Sequence, residues 1–155
     1  MFDTTMPQIY TGYFQIRDLS DGKGLAYQWA QILRVAASLK ISDCYGPIPY
    51  SQVGVNNALK SAYDSQEQVY TKMLADLDNI IDVLTTYSAQ NFNPSGDRIY
   101  DGNTKAWAKF ANSMKLRMAM RIVYVNENLA KQKAEEAVNS EIGVMTARMA
   151  LIIKL

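Results

Sequence analysis

Histidine is absent from this sequence of 155 residues, and Cys44 is its only cysteine. These two gaps exclude serine–histidine and cysteine–histidine nucleophile pairs, the usual zinc sites and any disulfide within the chain. A charge of one sign is lacking too: sixteen basic against fifteen acidic residues leave a formal net charge of +1. No broad field exists to recruit nucleic acid or an anionic membrane, so partners must be chosen by shape and local chemistry. No run of about 18 apolar residues is present to span a bilayer as a helix. The opening MFDTTMPQIYTGYFQIRD carries an acid at Asp3 and neither the basic region nor the apolar run of a secretory leader. A soluble chain, or a soluble piece of one, is the expectation. A carboxylate- or lysine-dependent enzyme is compatible with the composition, but no motif supplies its site, and no metal or cofactor is expected.

What is present is helical pattern. At 48% hydrophobic residues the chain has material for one core. Residues up to Ser20 mix Tyr10, Tyr13, Phe14 and Ile16 with polar side chains, as either the end of a helix or an irregular strap. From Gly24, apolar residues including Leu25, Trp29, Ile32, Leu33, Ala36, Ala37 and Leu39 recur at steps of three and four and predict a helix over 24–43. Gly46, Pro47 and Pro49 stop it. Asp64 followed by Glu67 reads as a capping box with Asp in place of Ser or Thr, opening a helix over 65–86. Its stripe is Val69, Tyr70, Met73, Leu74, Leu77, Ile80, Ile81 and Leu84.

Asn91, Asn93, Pro94, Ser95, Gly96 and Asp97 form a polar loop that continues through Asp101-Gly102. A third helix is predicted over 104–125, with Trp107, Phe110, Ala111, Met114, Met118, Ile122 and Val125 on one face. A fourth follows over 127–139, carried by Leu129, Ala130, Ala134, Ala137 and Val138. The fold class is therefore all-α, with four main helices and long loops. The helix starts do not repeat at the 34-residue period of tetratricopeptide units, though helix pairing with enlarged loops is open.

Three passages together resemble the SusD/RagB family of outer-membrane nutrient-binding lipoproteins. They are ISDCYGPIPYSQ (41–52), YDSQEQVYTKMLADLDNIIDVL (63–84) and GDRIYDGNTKAWAKFANSMKLRMAMRI (96–122). In the third, Gly96-Asp97, Tyr100, Gly102, Trp107, Lys109-Phe110, Ala111-Asn112-Ser113, Leu116-Arg117 and Met120-Arg121 follow the family's order and spacing. The resemblance covers about 24–146. It implies a scaffold of tetratricopeptide-like helix pairs and a non-catalytic binding role at the cell surface. There the protein would capture oligosaccharide or peptide for a TonB-dependent, SusC-like outer-membrane transporter. Family members carry a lipoprotein signal and a lipid-bearing cysteine, which Cys44 cannot replace, and they are several hundred residues long. The chain reads as a single domain and part of a larger protein. ARMALIIKL (147–155) departs from the family, which suggests a truncated or frame-shifted product. The alternative is a helical module that makes protein contacts only.

Among individual residues, Tyr45 and Tyr50 are the candidates for ligand contact, because tyrosine rings on a loop can stack on the apolar faces of sugars. A Pro-locked corner packing tyrosine against a helix explains them equally well. Arg117 and Arg121, four apart, are able to grip a carboxylate but read better as an interhelical ion pair. Asn112 and Ser113 are expected to satisfy loop backbone, that of 46–49 being the nearest guess. Asp76, Asp78 and Asp82 are local acids, with 78 and 82 placed on the solvated side of their helix. The 91–103 loop is expected to be turn chemistry before it is a cation or sugar site.

Overall fold

A computed structural model describes residues 2–54, 61–92 and 94–146. Five α-helices carry these residues: α1 (Phe2–Ser20), α2 (Gly24–Tyr45), α3 (Gln66–Thr86), α4 (Thr104–Arg121) and α5 (Glu127–Asn139). Each packs on the next, and α2 also reaches α4. Short connections between α1 and α2 and between α4 and α5 make those neighbours antiparallel hairpins, as in a tetratricopeptide-like scaffold. Among the described residues no strand forms. Each longer loop is instead closed on itself by one isolated bridge, Ile48 to Asp64 and Asn91 to Asn103.

The segment before Ser20 is a helix, because Met6, Tyr10 and Tyr13 fall at helical spacing and all three are buried. In α3 the expected stripe is the core: Val69, Met73, Leu77, Ile80 and Leu84 are 0% exposed. Each such side chain contributes about 1.5–3 kcal/mol by leaving water.

Helix α2 departs from a single-stripe pattern. Its buried residues include Ile32, Val35, Leu39 and Ile41 but also Gln28, Gln31, Ser38 and Ser42, while Leu33 is exposed. A helix covered by α1, α3 and α4 has no single apolar face to reveal.

Helix α4 ends at Arg121, earlier than the expected 125. The Val125 and Asn126 amides both donate to the Ile122 carbonyl, and the Asn126 side chain caps α5 by accepting from the Leu129 amide. That corner turns Val125 outward, 84% exposed, so it does not share the apolar face of Trp107 and Met118. Val138 likewise lies outside the α5 stripe and is exposed, whereas Ala130 and Ala137 are buried. The tail 147–155 lies outside the described residues.

Candidate functional site

The corner after α2 is built from its own backbone and one carboxylate. Gly46, at φ 79°, lets the chain leave the helix, and its amide and carbonyl are both held by Ser42. Asp64, on the returning side of the loop, then clasps the segment that leaves the corner. It accepts from the Tyr50 amide at 3.0 Å, the Ser51 amide at 2.7 Å and the Ser51 hydroxyl at 2.6 Å. Burial works against the Asp64 charge, but these bonds and nearby Lys72 outweigh it and hold the carboxyl below its usual range. The capping box expected at Asp64 and Glu67 is therefore displaced by one residue. Ser65 is the cap and Gln68 its reciprocal partner, which frees Asp64 for the loop.

The two candidate tyrosines have different surroundings. Tyr50 is 3% exposed. Its hydroxyl donates to Asp76 Oδ2 at 2.5 Å and accepts from Arg34 Nη2 at 3.1 Å, while the Arg34 guanidinium stands 4.6 Å from the ring centre. Arg34 also binds Asp76 and lies 4.7 Å from the ring centre of Tyr13. Burial pushes the Tyr50 hydroxyl well above its usual range and the Tyr10 hydroxyl up to about 12, so both stay neutral donors. Burial opposes the Arg34 charge, but Tyr50 and Asp76 more than offset it and secure the cation. Tyr45, in the last turn of α2, is 52% exposed. The fold thus places one tyrosine inside a brace joining α1, α2 and α3, and the other on the surface.

The remaining polar candidates brace the scaffold. Asp97, 4% exposed, accepts from the Ile99, Tyr100 and Gly102 amides and, at 2.6 Å, from Trp107 Nε1. Burial raises its pKa, but these donors outweigh it and lower the carboxyl below its usual range. The Asp97 turn thereby anchors Tyr100 and Trp107 edge to face, ring centres 5.1 Å apart. Asn112 Nδ2 donates to the carbonyls of Ala137 and Gly143, and Ser113 Oγ accepts from the Met145 amide. Both satisfy backbone of a neighbouring segment, as expected. That segment is the last turn of α5 and the loop after it, not 46–49, because both lie beside α4.

Arg121 pairs with Asp43 across α4 and α2, and Asp43 also accepts from the Tyr70 hydroxyl. Asp78 is not on a solvated face: it meets Lys115 at 2.6 Å and Lys133 at 2.7 Å, and Glu136 joins the same two lysines. Among the described residues no group of three or more metal-ligating side chains converges. No helix there is long and apolar enough to cross a membrane.

Arg34, Asp76, Lys115 and Lys133 went unsingled or unplaced by spacing because their roles depend on which helices become neighbours. Asp97 had a local signal, an acid three residues before Tyr100 and five before Gly102 within a turn-rich run.

A family model described as SusD-like, SusD and RagB outer membrane lipoprotein, matches residues 1–153. A SusD homologue from Bacteroides ovatus ATCC 8483 is 53% identical over 92% of this chain, with a TM-score of 0.83. One from Bacteroides uniformis ATCC 8492 is 41% identical over 88%, also at 0.83. A chitin-binding SusD homologue from Flavobacterium johnsoniae is 39% identical over 93%, at 0.86. The matches take in 29%, 28% and 31% of those three chains, so this sequence spans less than a third of their length. None of the curated proteins matches. With the family matched from end to end of the described helices, and with the third passage folded around Asp97 and Trp107, the chain belongs to the SusD/RagB family.

Proposed function

We propose that the chain is the helical scaffold portion of a non-catalytic glycan-binding protein that works in outer-membrane nutrient uptake. In this reading it lies at the cell surface as part of a lipoprotein, and it captures oligosaccharide for a SusC-like TonB-dependent transporter. Its 155 residues form one helical unit within a larger SusD-like protein. The observation that carries the reading is the likeness to the chitin-binding homologue, at a TM-score of 0.86 and 39% identity. The family's description as an outer membrane lipoprotein supports the location.

The internal bracing suits such a role. Partly buried ion pairs and capped loops hold the helices in fixed relation, so a surface side chain such as Tyr45 is presented from a rigid support. Tyr45 is the stronger ligand-contact candidate of the two tyrosines, and Tyr50 acts through the shape of the corner.

Electrophoresis through gels carrying soluble polysaccharides tests the reading, alongside affinity capture from solubilised outer membranes. Retardation by at least one glycan together with recovery of a TonB-dependent transporter is the expected result. Recovery of a protein partner with no retardation on any glycan would favour a scaffold for protein contacts alone, a reading to which exposed Met120, Tyr124 and Val125 lend some support.

A further inference from the structure

The two edges of the helix stack are fastened differently. Helix α5 is tied by ion pairs to both α3 and α4, through Lys133–Asp78 and Glu136–Lys115. Helix α1 touches no helix but α2, and among the described residues no ion pair joins it to another helix; its own pair, Arg17–Asp18, is internal. What holds α1 is apolar: Met6, Tyr10 and Tyr13 are buried, and Ile9, Phe14 and Ile16 pack beside them.

The face of α2 beneath α1 does not match those anchors. Tyr27, Gln31, Arg34 and Ser38 recur along it at steps of four and three. The Tyr27 hydroxyl meets that of Tyr13 at 3.0 Å and accepts from Gln31 Nε2 at 2.9 Å, and the Arg34 guanidinium lies against the Tyr13 ring. Gln31 Oε1, Arg34 Nε and Ser38 Oγ are buried on this face without a hydrogen-bond partner among the described residues. Each is a desolvation cost that the closed position of α1 carries and an open one relieves. Contacts from α1 to the corner are slight as well. The Tyr10 hydroxyl reaches the Pro49 carbonyl at 3.4 Å, long for such a bond, and the Phe14 ring rests on Gly54, which leaves room for it only by lacking a Cβ. The link to α2 is able to turn. Asp21, Gly22 and Gly24 hold φ of 52°, 64° and 80°; the glycines adopt other angles at little cost, and Asp21 leaves an uncommon region when they do.

We propose that α1 is a hinged strap, which swings off α2 as one unit about residues 21–24 while α2–α5 stay folded, and so uncovers Arg34 and its partner Tyr50. Native-state hydrogen exchange of the 155-residue chain in low urea, followed by NMR, tests it. The amides of Tyr10, Tyr13 and Phe14 should exchange through one shared opening with a small urea slope, since little surface is exposed. That opening should be on the order of a hundredfold more frequent than the one that releases the amides of Met73, Leu77 and Met118. The Arg34 Nε–H, buried but unbonded, should exchange through the α1 opening. Ser38→Ala removes one unanswered hydroxyl and should make the opening about fivefold rarer. Phe14→Ala removes the ring on Gly54 and should make it about tenfold more frequent.

One steep urea slope shared by the α1 and α3 amides overturns the strap, because α1 then leaves α2 only when the whole chain unfolds. Protection that falls residue by residue from Phe14 toward the start of α1, with no common slope, overturns it too, since that is the fraying of a helix end. Arg34 Nε–H exchange that follows global unfolding would refute the uncovering of Arg34. An opening unchanged in both variants would refute the proposal as well, for neither the polar seam nor the corner contact would then govern α1.

Discussion

Tyr45 and Tyr50 stand five residues apart in a loop-flanked stretch, and residue type alone treats them alike. The fold separates them by what each ring touches. The Tyr50 hydroxyl sits between Arg34 and Asp76, so Tyr50→Phe leaves a partly buried ion pair short of one donor and one acceptor. A loss of about 1–2 kcal/mol in urea unfolding is expected. Tyr45→Ala removes a half-exposed ring and should change stability by about 0.5 kcal/mol or less, while lowering glycan retention if Tyr45 contacts ligand. Asp97 is the more demanding position. Four donors converge on it, and an asparagine there presents an NH₂ group to amides that need an acceptor. Asp97→Asn is expected to cost about 3 kcal/mol and to alter the near-ultraviolet circular dichroism of Trp107, which loses its indole partner. Unchanged stability would mean that the turn closes without the carboxylate.

At the scale of elements, the boundary between Asp64 and Ser65 separates capping α3, the task expected of Asp64, from holding the loop, the task it performs. Ser65→Ala removes a helix cap and should cost about 1 kcal/mol with the corner intact. Asp64→Ala leaves α3 capped but releases the loop, so hydrogen exchange at the Tyr50 and Ser51 amides should accelerate in that variant and not in the first. Equal protection in both would sink the division. Helix α3 was legible in sequence because it buries one continuous stripe, from Val69 to Leu84. The α2 pattern was harder to read, since Gln28, Gln31 and Ser38 are as buried as its apolar residues once α1 covers the other side. The end of α4 was overrun because Ile122 and Val125 extend the apolar spacing, whereas Asn126 and its capping bond decide the stop. Turn chemistry over 91–103 was legible as a loop, but its function as a socket for Trp107 was not. That function depends on a contact ten residues away.

At the scale of the whole molecule, three polar braces among the described residues bind the stack. Arg34–Asp76 joins α2 to α3, Asp43–Arg121 joins α2 to α4, and Lys115, Lys133, Asp78 and Glu136 join α3, α4 and α5. The last holds a carboxyl, Glu136, that lies well below its ordinary value. Burial raises the Glu136 carboxyl, but hydrogen bonds from Lys115, Lys133 and Gln132 outweigh it and bring the pKa from 4.5 to about 2. A carboxyl depressed on folding stabilises the native state fully above its unfolded value, and that stabilisation is lost as pH falls through the folded value. The acid-sensitive window for this group therefore runs from about 4.5 down to about 2. Asp64 and Asp97, also held below their usual range, act in the same direction. Because the Glu136 side chain is 37% exposed, solvent screening reduces its contribution to about 1 kcal/mol. Glu136→Gln should accordingly lower the urea midpoint at pH 7 and flatten its decline between pH 4.5 and 2.5. Wild-type protein in high salt should move toward the variant as the exposed part of the brace is screened. Parallel pH profiles for the two proteins would show that Glu136 is not what joins α5 to the scaffold. The acid limb would then belong to the buried turns around Asp64 and Asp97.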